Sequence, residues 1–228
     1  MKILAIDTAS KSASAAVISG DRVLAESILL TGETHSKTLM GLIGGVLQHS
    51  GTLIGDIDAY AVTTGPGSFT GLRIGISMVK GLASAGDKPV VGVSALDALA
   101  LQASFSNYLI CPMLDARRRE VYFAGYRCDR NGDLEKEMDD GVGLPENVIS
   151  VIQEPCLFIG DGSEVYHDLI TEKMRNPAFF APQFSNTIRA SAVGHLGNIK
   201  IIKGDDVCSA ETLEPVYLRK SDAEMNKK

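Results

Sequence analysis

The chain has 228 residues, 45% hydrophobic and 22% charged, the balance of a protein that buries a full core in one or two compact units. Its net charge of -6 makes it a poor electrostatic match for nucleic acid, whose binding is dominated by phosphate neutralisation. No run of about 18 apolar residues marks a membrane span, and Cys111, Cys128, Cys156 and Cys208 lack the CxxC pairing of a zinc site.

The opening MKILAIDTAS is too short, and too soon broken by Asp7, for a signal peptide, so a cytoplasmic protein with free thiols is expected. Strand-like runs cover 2–7, 13–19 and 22–30, with Gly20-Asp21 signalling a tight hairpin between the last two. A helix over 36–50, a strand over 57–63, a helix over 68–85, a strand over 89–93 and a helix from Ser94 follow. Three antiparallel strands and then alternating helix and strand is the order of a ribonuclease-H-like unit.

The second half repeats that order. Strands are expected over 109–115, 120–129 and 134–138, with Asn131-Gly132 as a hairpin signal. A helix over 145–153, a strand over 156–160 and a helix from Ser163 complete the series. Residues 176–185 read as a Pro- and Phe-rich loop, 190–203 as a last helix and 221–228 as a frayed tail. Asp7 and Asp115 each end a first strand. The chain is therefore expected to be α/β, with two ribonuclease-H-like lobes of the actin/sugar-kinase/Hsp70 (ASKHA) architecture, the second reduced. The lobes are placed at 1–104 and 105–228.

Two helices are more apolar than a single sheet contact needs. On 68–85, Leu72, Ile76, Val79 and Ala83 form one apolar face, and Ile74, Met78, Leu82 and Ala85 another. On 36–50, Leu39, Met40, Leu42, Ile43, Val46 and Leu47 read as inward, with Gly41, Gly44 and Gly45 opposite. Each helix-interior glycine costs about 0.8–1.0 kcal/mol relative to alanine, which suggests close approach of another helix. A partner interface is expected at Leu39, Gly41, Gly44, Gly45, Gly71, Leu72, Gly75, Ile76, Met78, Val79 and Leu82. Cover by the chain's own second lobe or last helix is the alternative.

TTGPGSFTGLRIG at 63–75 reads as a turn and helix cap, with Ser68 or Thr70 capping, and as a phosphate cradle second. Asp7 and Thr8, in DTAS, suit a magnesium or phosphate contact, or a turn cap. Gly160-Asp161-Gly162-Ser163 stands where a nucleotide could lie, although neither glycine turn matches the Walker pattern. Asp115 is expected to organise a turn and pair with arginine. Arg117-Arg118-Arg119 could contact RNA phosphate or an acidic surface, or simply be solvated. No histidines fall at ligand spacing, so no metal is expected.

The stretches ILAIDTA, HSKTL (35–39), GPGSFTGLRIG (65–75), GVSALDALA (92–100), DARRREVY (115–122) and PVYLRK (215–220) together resemble the TsaB, or YeaZ, family, in order over nearly the whole chain. The resemblance implies a non-catalytic subunit that pairs through its first-lobe helices with a catalytic paralogue, TsaD. With the small ATPase TsaE, that complex transfers threonylcarbamoyl to the tRNA adenosine beside the anticodon. The paralogue's HxxxH metal pair is broken here, because Leu39 stands at the second position. A hydrophobic helix pair of this kind is itself expected to form a homodimer by default when the partner is missing; tRNA is expected to be met only through the complex, and no membrane association is expected. No tightly bound cofactor is expected; ATP or ADP would lie at a composite site of Asp7, Thr8, Gly160, Asp161 and Gly162 at the partner interface. An ATPase or small-molecule kinase acting alone on the same fold is the competing reading.

Overall fold

A computed structural model describes residues 1–30, 33–129 and 132–219. In chain order the elements are β1 (Lys2–Asp7), β2 (Ala13–Ser19), β3 (Arg22–Leu29), α1 (His35–Ser50), β4 (Ala59–Gly65), α2 (Phe69–Gly86), β5 (Val90–Ser94) and α3 (Ala95–Gln102). Then come β6 (Leu109–Arg117), β7 (Glu120–Cys128), β8 (Leu134–Gly143), α4 (Pro145–Val151), β9 (Cys156–Ile159), α5 (Asp161–Val165), α6 (His167–Lys173), β10 (Ala178–Phe180), α7 (Ala190–Lys203) and β11 (Val207–Cys208). Asn131 of the expected hairpin and the tail 221–228 lie outside the described residues.

The duplication read from the strand pattern is present in the pairing. One sheet runs β11-β5-β4-β1-β2-β3 and the other β10-β9-β6-β7-β8. In each, the first three strands pair antiparallel and the first also pairs in parallel with the fourth. The parallel series then continues to the fifth. This is the α/β ASKHA pattern expected of both halves.

The chain divides into two compact units. Met1–Ala98 with Ile188–Val216 forms the first; Leu99–Thr187, with Tyr217–Arg219, forms the second. This corrects the simple split at 104/105, because α7 belongs to the first unit and not to the second. Its helix packs on β1, β2, β4 and β5. Gly194 and Gly197 make that approach possible: a β-carbon at Gly197 would lie 2.7 Å from the Ala61 β-carbon, and one at Gly194 3.0 Å from Ile18. With α1 and α2 also packed on this sheet, every residue from Ile3 to Asp7 is buried. Successive strand residues point to opposite faces, so a fully buried strand needs cover on both.

The second unit packs α4, α6 and their sheet around Leu109, Cys111, Met113, Val121, Val148, Phe158 and Ile170. The segment 176–185, expected as loop, contains β10 and a 3₁₀ turn over Gln183–Ser185. Three residues of edge strand have too little periodicity to show in sequence. The helix expected from Ser163 begins at Asp161 and is interrupted at Tyr166, where φ is -110°.

A candidate partner-binding face and two closed glycine turns

The loop before α2 folds back onto the turn after β1. Ser68 N donates to the Ala9 carbonyl at 2.7 Å, and Thr8 Oγ1 donates to the Gly71 carbonyl at 2.8 Å. A β-carbon at Gly67 would collide with the Ala9 carbonyl, at Gly71 with the Thr8 carbonyl and at Gly75 with the Thr8 hydroxyl. Ser68 caps the helix, its Oγ accepting from Gly71 N at 3.2 Å. Such a cap stabilises a helix by about 1 kcal/mol. Ser68 N and Gly71 N are thus engaged inside the chain, whereas a phosphate cradle presents its N–H groups to the ligand.

Asp7 and Thr8 sit in this same closed joint, both fully buried. Asp7 Oδ1 accepts from Thr63 Oγ1 at 2.7 Å and from Ala9 N at 3.0 Å, which is turn-capping geometry. His35, at the start of α1, donates from Nε2 to the Ser10 carbonyl at 2.9 Å. Among the described residues no three His, Cys, Asp or Glu side chains gather as metal ligands.

The second unit closes its glycine turn in the same way. Gly160 has a φ of 108°, and a β-carbon there would strike the Met113 carbonyl. Its N–H donates to Asn186 Oδ1 at 2.9 Å, and Ser163 Oγ returns to its carbonyl at 2.7 Å. A β-carbon at Gly162 would come within 2.9 Å of the Met113–Leu114 backbone. Asp161 Oδ1 accepts from Asp115 N at 3.0 Å. Asp115 in turn accepts from Arg117 N at 2.9 Å and pairs with its guanidinium at 3.4 Å, as expected of it. In both turns the glycines allow backbone to approach backbone.

The outer surfaces of α1 and α2 differ from these joints. They flank a shallow groove of about 700 Å³, lined by Met40, Phe69, Ile74, Met78, Gly81 and Leu82 among others. On the α2 side of the groove the Arg73 guanidinium lies 3.8 Å from the ring centre of Phe69, one turn back on the same helix, in cation–π contact. Met40 is 54% exposed. At Gly41, Gly44, Gly45 and Gly81 a β-carbon would meet nothing within 4 Å.

The structure therefore divides the expected interface set. Leu39, Gly71, Leu72, Gly75, Ile76 and Val79 are buried within the first unit and present nothing to a partner, because α1 and α2 lay that face on the unit's own sheet and turn. Gly41, Gly44, Gly45, Met78 and Leu82 remain on the open side. Met40, expected to face inward, points outward with them. Phe69, Ile74 and Gly81 complete the groove and were absent from the expected set, although Ile74 belongs to the second apolar face of α2 that the sequence displays. No helix among the described residues is long and apolar enough to cross a membrane.

The family model described as "TsaD: tRNA N6-adenosine threonylcarbamoyltransferase" matches residues 29–227. The tRNA threonylcarbamoyladenosine biosynthesis protein TsaB of Bacillus subtilis is 32% identical, over 98% of this chain and 96% of its own length. The Escherichia coli protein of the same name is 34% identical, over 96% and 95%. The structure of YeaZ from Pseudomonas aeruginosa superposes with a TM-score of 0.82 at 29% identity, covering 95% of this chain and 99% of that one. A ROK hexokinase from Thermus thermophilus, 13% identical over 90% of this chain and all of that one, superposes with a TM-score of 0.52, a likeness of fold alone.

Proposed function

The chain belongs to the TsaB family, within the group that the TsaD model matches, and from that premise we propose that it is a non-catalytic subunit of tRNA threonylcarbamoyladenosine biosynthesis. In this reading it pairs with a TsaD-type catalytic paralogue, works with a TsaE-type ATPase in threonylcarbamoyl transfer to tRNA, and self-associates when the paralogue is missing. The observation that carries the proposal is the open apolar groove between α1 and α2. Helix-interior glycines with nothing opposite them cost helix stability for no gain inside the chain. A second helix laid across them would gain close approach and bury Met40, Met78 and Leu82. ATP or ADP is assigned to the assembled complex, since the glycine turns around Thr8 and Gly160 are filled by this chain's own backbone.

The test uses Met78→Glu, which puts a charge in the groove while leaving the buried face of α2 intact. Burying an unpaired carboxylate is strongly unfavourable. Size-exclusion chromatography of the mixture should show co-elution with the TsaD-type subunit weakened at least tenfold, at an unchanged melting temperature for the variant alone. Threonylcarbamoylation by the partner proteins should need this chain, and purified chain alone should turn over no ATP. Full pairing by Met78→Glu, or modification at normal rate without the chain, rejects the reading.

A further inference from the structure

Where α4 packs on α6, the second unit holds a pocket of about 260 Å³ whose lining carries charges of both signs. The geometry points to a binding site for a small apolar amino acid, taken up as the zwitterion. The site lies within the second unit and is independent of the functional reading above. Glu146 stands in the first turn of α4, Lys173 ends α6 and Arg175 follows it. Glu146 and Arg175 make no hydrogen bond or ion pair with a described residue, and Lys173 reaches only its neighbour Glu172, at 3.7 Å. Opposite charges therefore line one pocket without pairing across it. Tyr166 lies near Glu146 and is neutral, its phenol pushed up by burial first and by Asp115 and Glu146 after it.

The remaining lining groups narrow what a guest would meet. Ser150 Oγ donates to the Asn147 carbonyl at 2.8 Å, and Gln153 Nε2 donates to the Ser150 carbonyl at 2.9 Å. The Ser150 hydroxyl hydrogen is thus engaged by α4 itself, and the donors left for an anion are Lys173 and Arg175. A guanidinium presents a fork of N–H groups that fits a carboxylate. Ile149 and Ile152, each 4% exposed, supply the apolar wall.

A simple anion in this pocket would leave Glu146 facing like charge, and a simple cation would do the same to Lys173 and Arg175. A molecule carrying an ammonium and a carboxylate on one carbon meets both signs, and its apolar side chain covers Ile149 and Ile152. Removing its charges from water is then compensated at each end. The volume lies below the roughly 300–1,000 Å³ of sites for drug-sized ligands, which limits the guest to the size of a single amino acid.

The probe is L-leucine, titrated calorimetrically into the full chain beside two molecules that each lack one charge: isocaproate, without the ammonium, and isopentylamine, without the carboxylate. Leucine should saturate the chain at millimolar concentration or below. Each half-molecule should bind at least about tenfold more weakly, the loss of one charge-assisted contact. Glycine, with no side chain to lay on Ile149 and Ile152, should also bind about tenfold more weakly. Glu146→Gln should erase the preference for leucine over isocaproate. Lys173→Gln with Arg175→Gln should erase the preference over isopentylamine. Both variants should keep the wild-type melting temperature, because all three side chains are exposed. No saturable heat with leucine overturns the inference. So does equal binding of leucine and either half-molecule by the wild-type chain, a comparison that needs no variant, and so does a variant that retains its preference.

Discussion

At Gly75 a β-carbon would run into the Thr8 hydroxyl, whereas at Gly41 it would meet nothing within 4 Å. Both are helical glycines in the first unit, and nothing in the local sequence distinguishes them. Gly75→Ala should destabilise the chain by about 1–3 kcal/mol in urea unfolding, because the buried Thr8 has little room to yield. Gly41→Ala should stabilise the isolated chain by about 1 kcal/mol, since only helix propensity changes. Equal effects from the two would contradict the division into inner and outer glycines. Thr8 and Asp7 teach the same lesson. Their residue types suit a phosphate or metal site, but their hydrogen bonds to Gly71 and Thr63 show them closing a joint.

At the level of elements, α2 carries two apolar faces that can both be read from its sequence. Which of them turns outward depended on the sheet beneath it: Leu72, Ile76 and Val79 dock there, and Ile74, Met78 and Leu82 are left to line the groove. The strand pair β6–β9 provides a different test. Hydrogen bonding to Cys111 and burial push the Cys156 thiol far above the usual thiol range. The native state therefore favours the protonated form. Below the unfolded thiol pKa of about 8.5 that contribution is fully present. Above it the unfolded chain binds fewer protons than the native one, and stability falls by about 1.4 kcal/mol per pH unit from this group. Urea unfolding at pH 8, 9 and 10 should show this decline, and Cys156→Ala should flatten it by that amount. Identical slopes for the two proteins would remove Cys156 as the cause.

For the molecule as a whole, the separation of α7 from its sequence neighbours matters most. Residues 188–216 return to the first unit, where α7 covers Ala5, Ile18, Ala61 and Val91. A chain ending at Thr187 should lose its cooperative urea transition and bind a hydrophobic dye, because one face of the first sheet is bared; a sharp, native-like transition would count against this packing. The amino-acid sequence by itself determined the repeated strand order, most helix boundaries, the second apolar face of α2 and the absence of paired histidine spacing. These are local signals, carried by periodicity of two or 3.6 residues and by turn chemistry. Only the tertiary structure decided that α7 serves the first sheet, that the glycines of both turns admit backbone and that Met40 faces outward. Each of those outcomes depends on an atom contributed by a distant part of the chain, and local pattern holds no record of what will lie opposite.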